Sequence, residues 1–276
     1  ASRTNRQMFA LGHPPPERIA CGGCAYRLAR VFKHDFFAAT CLYEREDEGE
    51  TGFERVVAKF GRSQAFWALP CVWMGRWMLR RERAFYLALA DVSAVPAWAG
   101  ELSATAYAVE YVESSPLDHF QRPPGGFFDR LRLAFDAIHA RGVGYCDANK
   151  RSNILVRPDG TPALVDFQIS VRRRDDWPWP ISAASRAVVR YVAAKDLYHL
   201  YKHKRRMAPD ELTPAEEALS RRRTGLHWLH RKLTKPWRSL RRRFLRTQHE
   251  RGRLVSPTAD LEDHDQPEKA TWRDRP

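Results

Sequence analysis

Over the first third of the chain, short runs of β-branched and aromatic residues alternate with polar ones. "RLARVFK", "CLYERE" and "FERVVAKF" each read as a strand. The turn-forming "DEGETG" between the last two predicts a small antiparallel meander. The period then lengthens. In "WMGRWMLRRERAFYLALADV", Trp77, Met78, Arg81/Glu82, Phe85 and Leu89 recur at helical spacing, which predicts a helix running until "SAVP" stops it. "AYAVEYVE" returns to alternation and predicts another strand. After "RPPGG", Phe127, Phe128, Leu131, Phe135 and Ile138 place one apolar stripe on a helix that ends at "HARGVG". "NILV" and "ALVDF", separated by a Pro-Asp-Gly turn, predict a tight hairpin with an aspartate on either flank, Asp147 and Asp166. "SRAVVRYVAAKDLYHLYKHK" predicts a long helix, and "TPAEEALSRR" a further one with Thr213 as N-cap and Pro214 at the first position. There is no internal repeat.

Composition narrows the class. The chain has 276 residues, 43% of them hydrophobic, enough for one substantial core or a core divided between two lobes. No apolar run approaches the roughly 20 residues needed to cross a bilayer. The N-terminus lacks the apolar core of a secretory signal, and a cytoplasmic protein is expected. The five cysteines are odd in number and, apart from "CGGC", scattered, which argues for reduced thiols. Cys21 and Cys24 have the spacing of half a zinc site, but no second Cys/His pair follows; a turn with two incidental thiols is the expectation.

The net charge of +14 predicts attraction to polyanions, and its distribution is uneven. From Arg221 to Arg253 there are thirteen Lys or Arg against one acid, Glu250. Within that segment Leu229, Leu233, Trp237, Leu240 and Phe244 recur at helical spacing. It reads either as an amphipathic element lying on an anionic membrane or as a helix packed on the body of the protein with a solvated basic face. Nucleic acid ranks third as a partner, because no aromatic-basic recognition module is evident.

The candidate chemistry lies in the order of five residues. A strand ends in Lys59, a helix carries Glu82, and Asp147, Asn153 and Asp166 sit on a loop and hairpin. Phosphoryl transfer from a nucleotide needs this set, because most of the work is neutralising phosphate charge and aligning the acceptor. A Lys tethers phosphates, a helix Glu holds the Lys, an Asp and an Asn hold Mg²⁺, and another Asp accepts the proton of the attacking hydroxyl. Through "VVAKF", "RRERAFYLALADVSAVP", "YCDANKRSNILV" and "LVDFQIS" the sequence resembles the protein-kinase-like superfamily over about residues 27 to 205. Within it, the chain is most similar to minimal bacterial members, the lipopolysaccharide core kinases (Kdo/heptose kinases), with RIO kinases more distant.

The resemblance implies an α+β, two-lobed protein-kinase-like fold, with a small antiparallel-sheet N-lobe and a mainly helical C-lobe. It implies ATP and Mg²⁺ as cofactors. Lys59 would contact the phosphates, Glu82 would pair with it and Asp147 would be the catalytic base. Asn153 and Asp166 would bind Mg²⁺. Thr40 would join Lys59 in nucleotide binding, and Glu110 to Glu113, with Glu110 and Val112 foremost, would form the hinge beside the adenine. The acceptor would be a hydroxyl on a lipid-linked sugar or on a protein.

The sequence departs from the superfamily pattern in five ways. The place of the Gly-rich phosphate loop holds "HDFFAAT", without a glycine. "YCD" stands where many kinases have His-Arg-Asp, and Asn153 follows Asp147 by six residues instead of five, with Asn149 as the alternative ligand. Gln168 replaces the glycine after the metal aspartate and its phenylalanine. No Ala-Pro-Glu motif follows, which implies a missing peptide-binding subdomain and a non-protein acceptor. Asp196 reads either as a buried organiser of the catalytic loop or as an exposed helical acid. The expected division is an N-terminal arm (1–26), N-lobe (27–112), C-lobe (113–205), basic helical extension (206–254) and disordered tail (255–276). The protein would sit in the cytoplasm, with peripheral contact to the inner membrane face through Arg221 to Arg253.

Overall fold

The computed structural model describes residues 9–47, 52–65 and 71–221. Most of the basic segment beginning at Arg221, and all of the tail, lie outside the described residues. The chain forms two compact units; among described residues, the first takes in those up to Arg80 together with Ala99–Tyr111, and the second Arg81–Trp98 and those from Val112 onward.

The first unit is built on a six-stranded sheet: β1 (Arg18–Cys21), β2 (Cys24–His34), β3 (Ala38–Arg45), β4 (Arg55–Gly61), β5 (Trp98–Ser103) and β6 (Ala106–Glu110), in the order β1-β2-β3-β4-β6-β5. The registered pairs from β1 to β4, and β4 with β6, are antiparallel. Alternation decides the faces. Val56, Ala58 and Phe60 of β4 are buried with Cys41 and Tyr43 of β3 and Ala106 and Ala108 of β6 in one apolar cluster, while Val57 and Lys59 look the other way. The three predicted strands of the meander correspond to β2, β3 and β4. Residues 18–21, within the span expected to be an arm, form β1. "CGGC" is its turn to β2: Cys21 pairs with Cys24, and Gly22 and Gly23 have φ of 59° and 86°. Two positive φ values in a two-residue loop are what a right-twisted hairpin requires, so glycine is there for the backbone. Among the described residues, none of the five cysteines is in a disulfide.

Helix α1 (Val72–Ala88) carries Glu82. In the second unit, α2 (Phe127–Ala140) buries all five predicted apolar residues at 1% exposure or less. β7 (Ser115–Pro116), β9 (Ile154–Val156) and β10 (Pro162–Leu164) form a small sheet in which β9 and β10 are the predicted hairpin. β8 (Val143–Gly144) pairs with β11 (Val171–Arg172). The long helix α3 (Ile181–Met207) packs on β8, and this is possible because residue 144 is glycine: a Cβ there would lie 2.6 Å from Val192 Cγ1. Helix α4 (Pro214–Arg221) starts as a capping box. The Thr213 hydroxyl accepts from the Glu216 amide at 3.3 Å, and the Glu216 carboxylate accepts from the Thr213 amide at 2.8 Å. Lys204 of α3, 2% exposed, ties the helices together through Asp129 of α2 and Glu216 of α4 at 2.9 and 3.0 Å. No helix among the described residues is long and apolar enough to cross a membrane.

Candidate active site

In the first unit, Lys59 sits half-buried near the end of β4 on the face away from the core. Thr40 of β3 and Tyr107 of β6 are its cross-strand partners, so Thr40 and Lys59 share a face as nearest neighbours. One step along that face lie Leu42, Val57 and Val109 in register, an apolar strip beside the ammonium. The turn in the place of a phosphate loop is short and closed on itself. Asp35 Oδ1 accepts from the amides of Phe37 and Ala38 at 2.8 and 3.0 Å. Those two N–H groups are the kind a phosphate would need. Burial raises the Asp35 pKa, but Lys33 at 3.0 Å and the two amides outweigh it and hold the carboxyl below its ordinary value. Glu110 ends β6, and the chain passes to the second unit between Tyr111 and Val112, at the segment expected to be a hinge.

In the second unit the structure brings Asp147, Asn153 and the Asp166 segment together. Asp147 Oδ2 accepts from Asn153 Nδ2 and from Lys150 Nζ, both at 2.7 Å. Among the described residues nothing donates a hydrogen bond to Asp147 Oδ1, although the residue is 7% exposed. The Val165 amide donates to the Asn153 carbonyl at 3.2 Å, and the Tyr145 hydroxyl is shared between the Asn153 and Val165 carbonyls. Burial, with the nearby carboxylates of Asp166 and Asp147, pushes the Tyr145 phenol far above its ordinary value, so it remains a donor. Both carboxylates therefore lie close to one phenol.

The backbone here is strained. Among described residues, two non-glycine positions have positive φ: Cys146, next to Asp147, at 70°, and Asp166 at 65°. Each costs on the order of 1–3 kcal/mol, and strain of this kind persists where the surroundings over-determine it. Three anchors do so. Asp196 of α3 is fully buried; Oδ1 accepts from the Cys146 amide at 3.0 Å, and Oδ2 from the Tyr145 amide at 2.8 Å and His139 Nε2 at 3.1 Å. This selects the buried-organiser reading of Asp196. Arg81 donates to the carbonyls of Gln168 (2.8 Å) and Ser170, pinning the chain after Asp166 where a flexible glycine is lacking. Phe167 is fully buried against Phe85, Tyr86 and Tyr145, with ring centroids 5.3–6.4 Å apart. Glu82, on the same helix as Arg81, is 1% exposed.

The metal expectation can be tested on the donor set. Because Asn153 uses its amide nitrogen on Asp147, its Oδ1 remains an uncommitted carbonyl oxygen, and with the Asp166 carboxylate it gives two hard oxygen donors of the type Mg²⁺ takes. Among described residues no group of three or more His, Cys, Asp or Glu could hold a metal. Asn149, the alternative ligand, is engaged elsewhere: its Oδ1 accepts from Lys202 Nζ at 2.7 Å.

Four contributors escaped the sequence reading. Lys150 and Tyr145 contact the aspartate loop directly, Arg81 was read as part of a helical stripe, and His203 Nε2 lies 3.0 Å from the Ala148 carbonyl. The signal for His203 was present: Ser182, Val189, Asp196 and His203 are all buried and recur every seven residues, one line along α3. Burial, chiefly, with Asp196 and Asp147 nearby, pushes the Cys146 thiol up to about 12, so it is no nucleophile.

No protein-family model matches the sequence, and no curated protein does. Solved structures do match. The Rio2 kinase from Chaetomium thermophilum superposes with a TM-score of 0.50 at 17% identity, covering 70% of this chain and 62% of that one. The fold is protein-kinase-like. The same kinase in an ADP/Mg²⁺-phosphoaspartate complex matches with a TM-score of 0.47, at 17% identity over 70% of this chain and 61% of that one. The chain thus spans about three-fifths of the length of these kinases. The likeness is one of fold, and the site residues rest on the geometry above.

Proposed function

We propose that the protein is an ATP-dependent phosphotransferase that moves a γ-phosphoryl group to a hydroxyl. The observation that carries this reading is the coincidence of backbone strain with chemistry: the two positive-φ non-glycine residues fall at Asp166 and beside Asp147, and Asn153 joins the two segments. Asp147 is the base. Its Oδ2 is fixed by Asn153 and Lys150, which leaves Oδ1 to accept the proton of the attacking hydroxyl. Asn153 Oδ1 and Asp166 are the residues that would hold Mg²⁺. When bound, the ion neutralises phosphate charge as it develops. Lys59 supplies a cation for the phosphates, Glu82 is the acid assigned to it in this reading, and Leu42, Val57 and Val109 offer an apolar strip to a base. Thr40 assists Lys59, and Glu110 and Val112 supply the hinge. With the turn amides taken by Asp35, phosphate binding depends on side chains and metal more than on backbone.

The acceptor we favour is a sugar of an envelope glycolipid. From Asp166 to the end of α3 the chain consists of two irregular segments, the two-residue strand β11 between them and a single helix, which is little structure on which to dock a peptide. A serine/threonine protein kinase is the second reading, supported by the likeness of the fold to a Rio2 kinase. The test is transfer of labelled γ-phosphate from Mg-ATP into a cell-envelope extract, with the product separated into glycolipid and protein. Label in the lipid fraction supports the first reading and label in protein the second. Tight nucleotide binding with no label in either would refute both and leave a pseudokinase.

A further inference from the structure

Beyond Asp166, the second unit carries apolar side chains that the unit does not cover. Trp177 and Trp179 are 46% and 80% exposed in "WPWPI", and Ile181, Val188 and Tyr191 continue along one side of α3 at 46%, 49% and 37%. A helix normally turns such a stripe inward; α3 instead buries the line of Ser182, Val189, Asp196 and His203 and leaves this one outside. The setting is basic. Residues 172 to 190 contain five arginines against Asp175 and Asp176, a net +3. Arg173 and Arg186 pair with Asp175, while among described residues Arg172, Arg174 and Arg190 make no ion pair. Arg174 instead lies 5.5 Å from the Trp177 ring, and Lys195 lies 5.6 Å from that of Tyr191.

We propose that this surface docks on an anionic lipid bilayer, with Trp177 and Trp179 in the headgroup layer and Arg172, Arg174 and Arg190 facing lipid phosphates. Indoles beside unpaired guanidinium groups suit a boundary that is apolar on one side and negatively charged on the other. Charge argues against the chain's own basic segment as the cover, since Arg221 to Arg253 would meet like charge. β11 pairs Val171 and Arg172 with Gly144 and Val143, only a few residues before Asp147, so a docked unit holds the aspartate loop near the headgroups. The docking stands apart from the phosphotransferase reading; its value in reaching a lipid-linked acceptor rests on that reading.

The test uses the full chain without nucleotide. Binding is measured to phosphatidylcholine vesicles with and without one-quarter phosphatidylglycerol, and tryptophan quenching is read with brominated acyl chains. Wild type should bind the anionic vesicles selectively and be quenched. Trp177→Ser/Trp179→Ser should bind roughly tenfold or more weakly and lose most of the quenching, with unchanged thermal unfolding. Arg172→Glu/Arg174→Glu should lose the preference for anionic lipid while keeping the tryptophans. Absence of wild-type binding would overturn the proposal and leave the patch to a protein partner. Unchanged binding and quenching in the tryptophan variant would also overturn it, assigning the contact to residues outside this surface. A chain that binds vesicles but transfers no phosphate would refute the function and spare the docking.

Discussion

Replacing Asp196 should separate the fold from the aspartate loop it supports. Its carboxylate is fully buried and accepts from two backbone amides, Tyr145 at 2.8 Å and Cys146 at 3.0 Å, and from His139 at 3.1 Å. Asp196→Ala removes the acceptor from both buried amides, at about 1–3 kcal/mol each. Relaxation of the strained Cys146 returns some of this, so the net loss should be about 2–5 kcal/mol, a large share of a typical domain's stability. Asp196→Asn keeps one acceptor oxygen and should lose about half as much. The assay pairs urea unfolding with phosphate transfer at saturating Mg-ATP. Asp196→Asn, still folded, should show a turnover reduced by roughly tenfold or more with little change in nucleotide affinity, because a loosened loop mispositions Asp147. If Asp196→Ala unfolds within about 0.5 kcal/mol of wild type and turns over normally, the anchoring argument fails.

Three further substitutions probe other parts of the account. Lys59→Ala should weaken Mg-ATP binding by about tenfold or more while the thermal transition stays in place, and unchanged affinity by calorimetry would remove Lys59 from the site. Arg81→Ala deletes the bonds to the Gln168 and Ser170 carbonyls and should raise hydrogen exchange across 166–172 while lowering turnover; an unaltered exchange pattern would show that Phe167 packing alone holds the segment. His203 is pushed down to about 4 from an ordinary value near 6.5, chiefly by burial. A depressed histidine favours folding above the unfolded pKa, and that contribution, about 3 kcal/mol, is lost as pH falls through 6.5 towards 4. His203→Gln should therefore flatten the acid limb of the stability curve in that window, and an acid limb identical to wild type would contradict it.

Much of this molecule is legible in the sequence because its periods are clean. Phe127, Phe128, Leu131, Phe135 and Ile138 form one apolar stripe, with Leu133 the exposed exception, and the Pro-Asp-Gly turn fixes the hairpin between Asp147 and Asp166. β1 and β5 were harder. "RIAC" is four residues long, and "WAGELS" shows no clear alternation at the edge of the sheet, where half of each strand faces solvent. Asp196 was ambiguous for a physical reason: α3 buries Ser182, Asp196, His203 and Lys204 beside apolar residues, so its inward face does not announce itself by hydrophobicity. Lys150 and Tyr145 act through contacts that depend on the loop's backbone, with its positive φ at Cys146, and no periodic pattern encodes that geometry.

The central claim is that Asp147 serves phosphate transfer from a nucleotide. The most direct measurement is single-turnover loss of γ-phosphate from Mg-ATP by the purified full chain, to water or acceptor, for wild type and Asp147→Asn, with nucleotide affinity measured in parallel. The account predicts a rate lower by about 10²–10⁴ in the variant with affinity nearly unchanged, because the carboxylate acts on the attacking hydroxyl and not on nucleotide binding. Equal rates in the two proteins would contradict it.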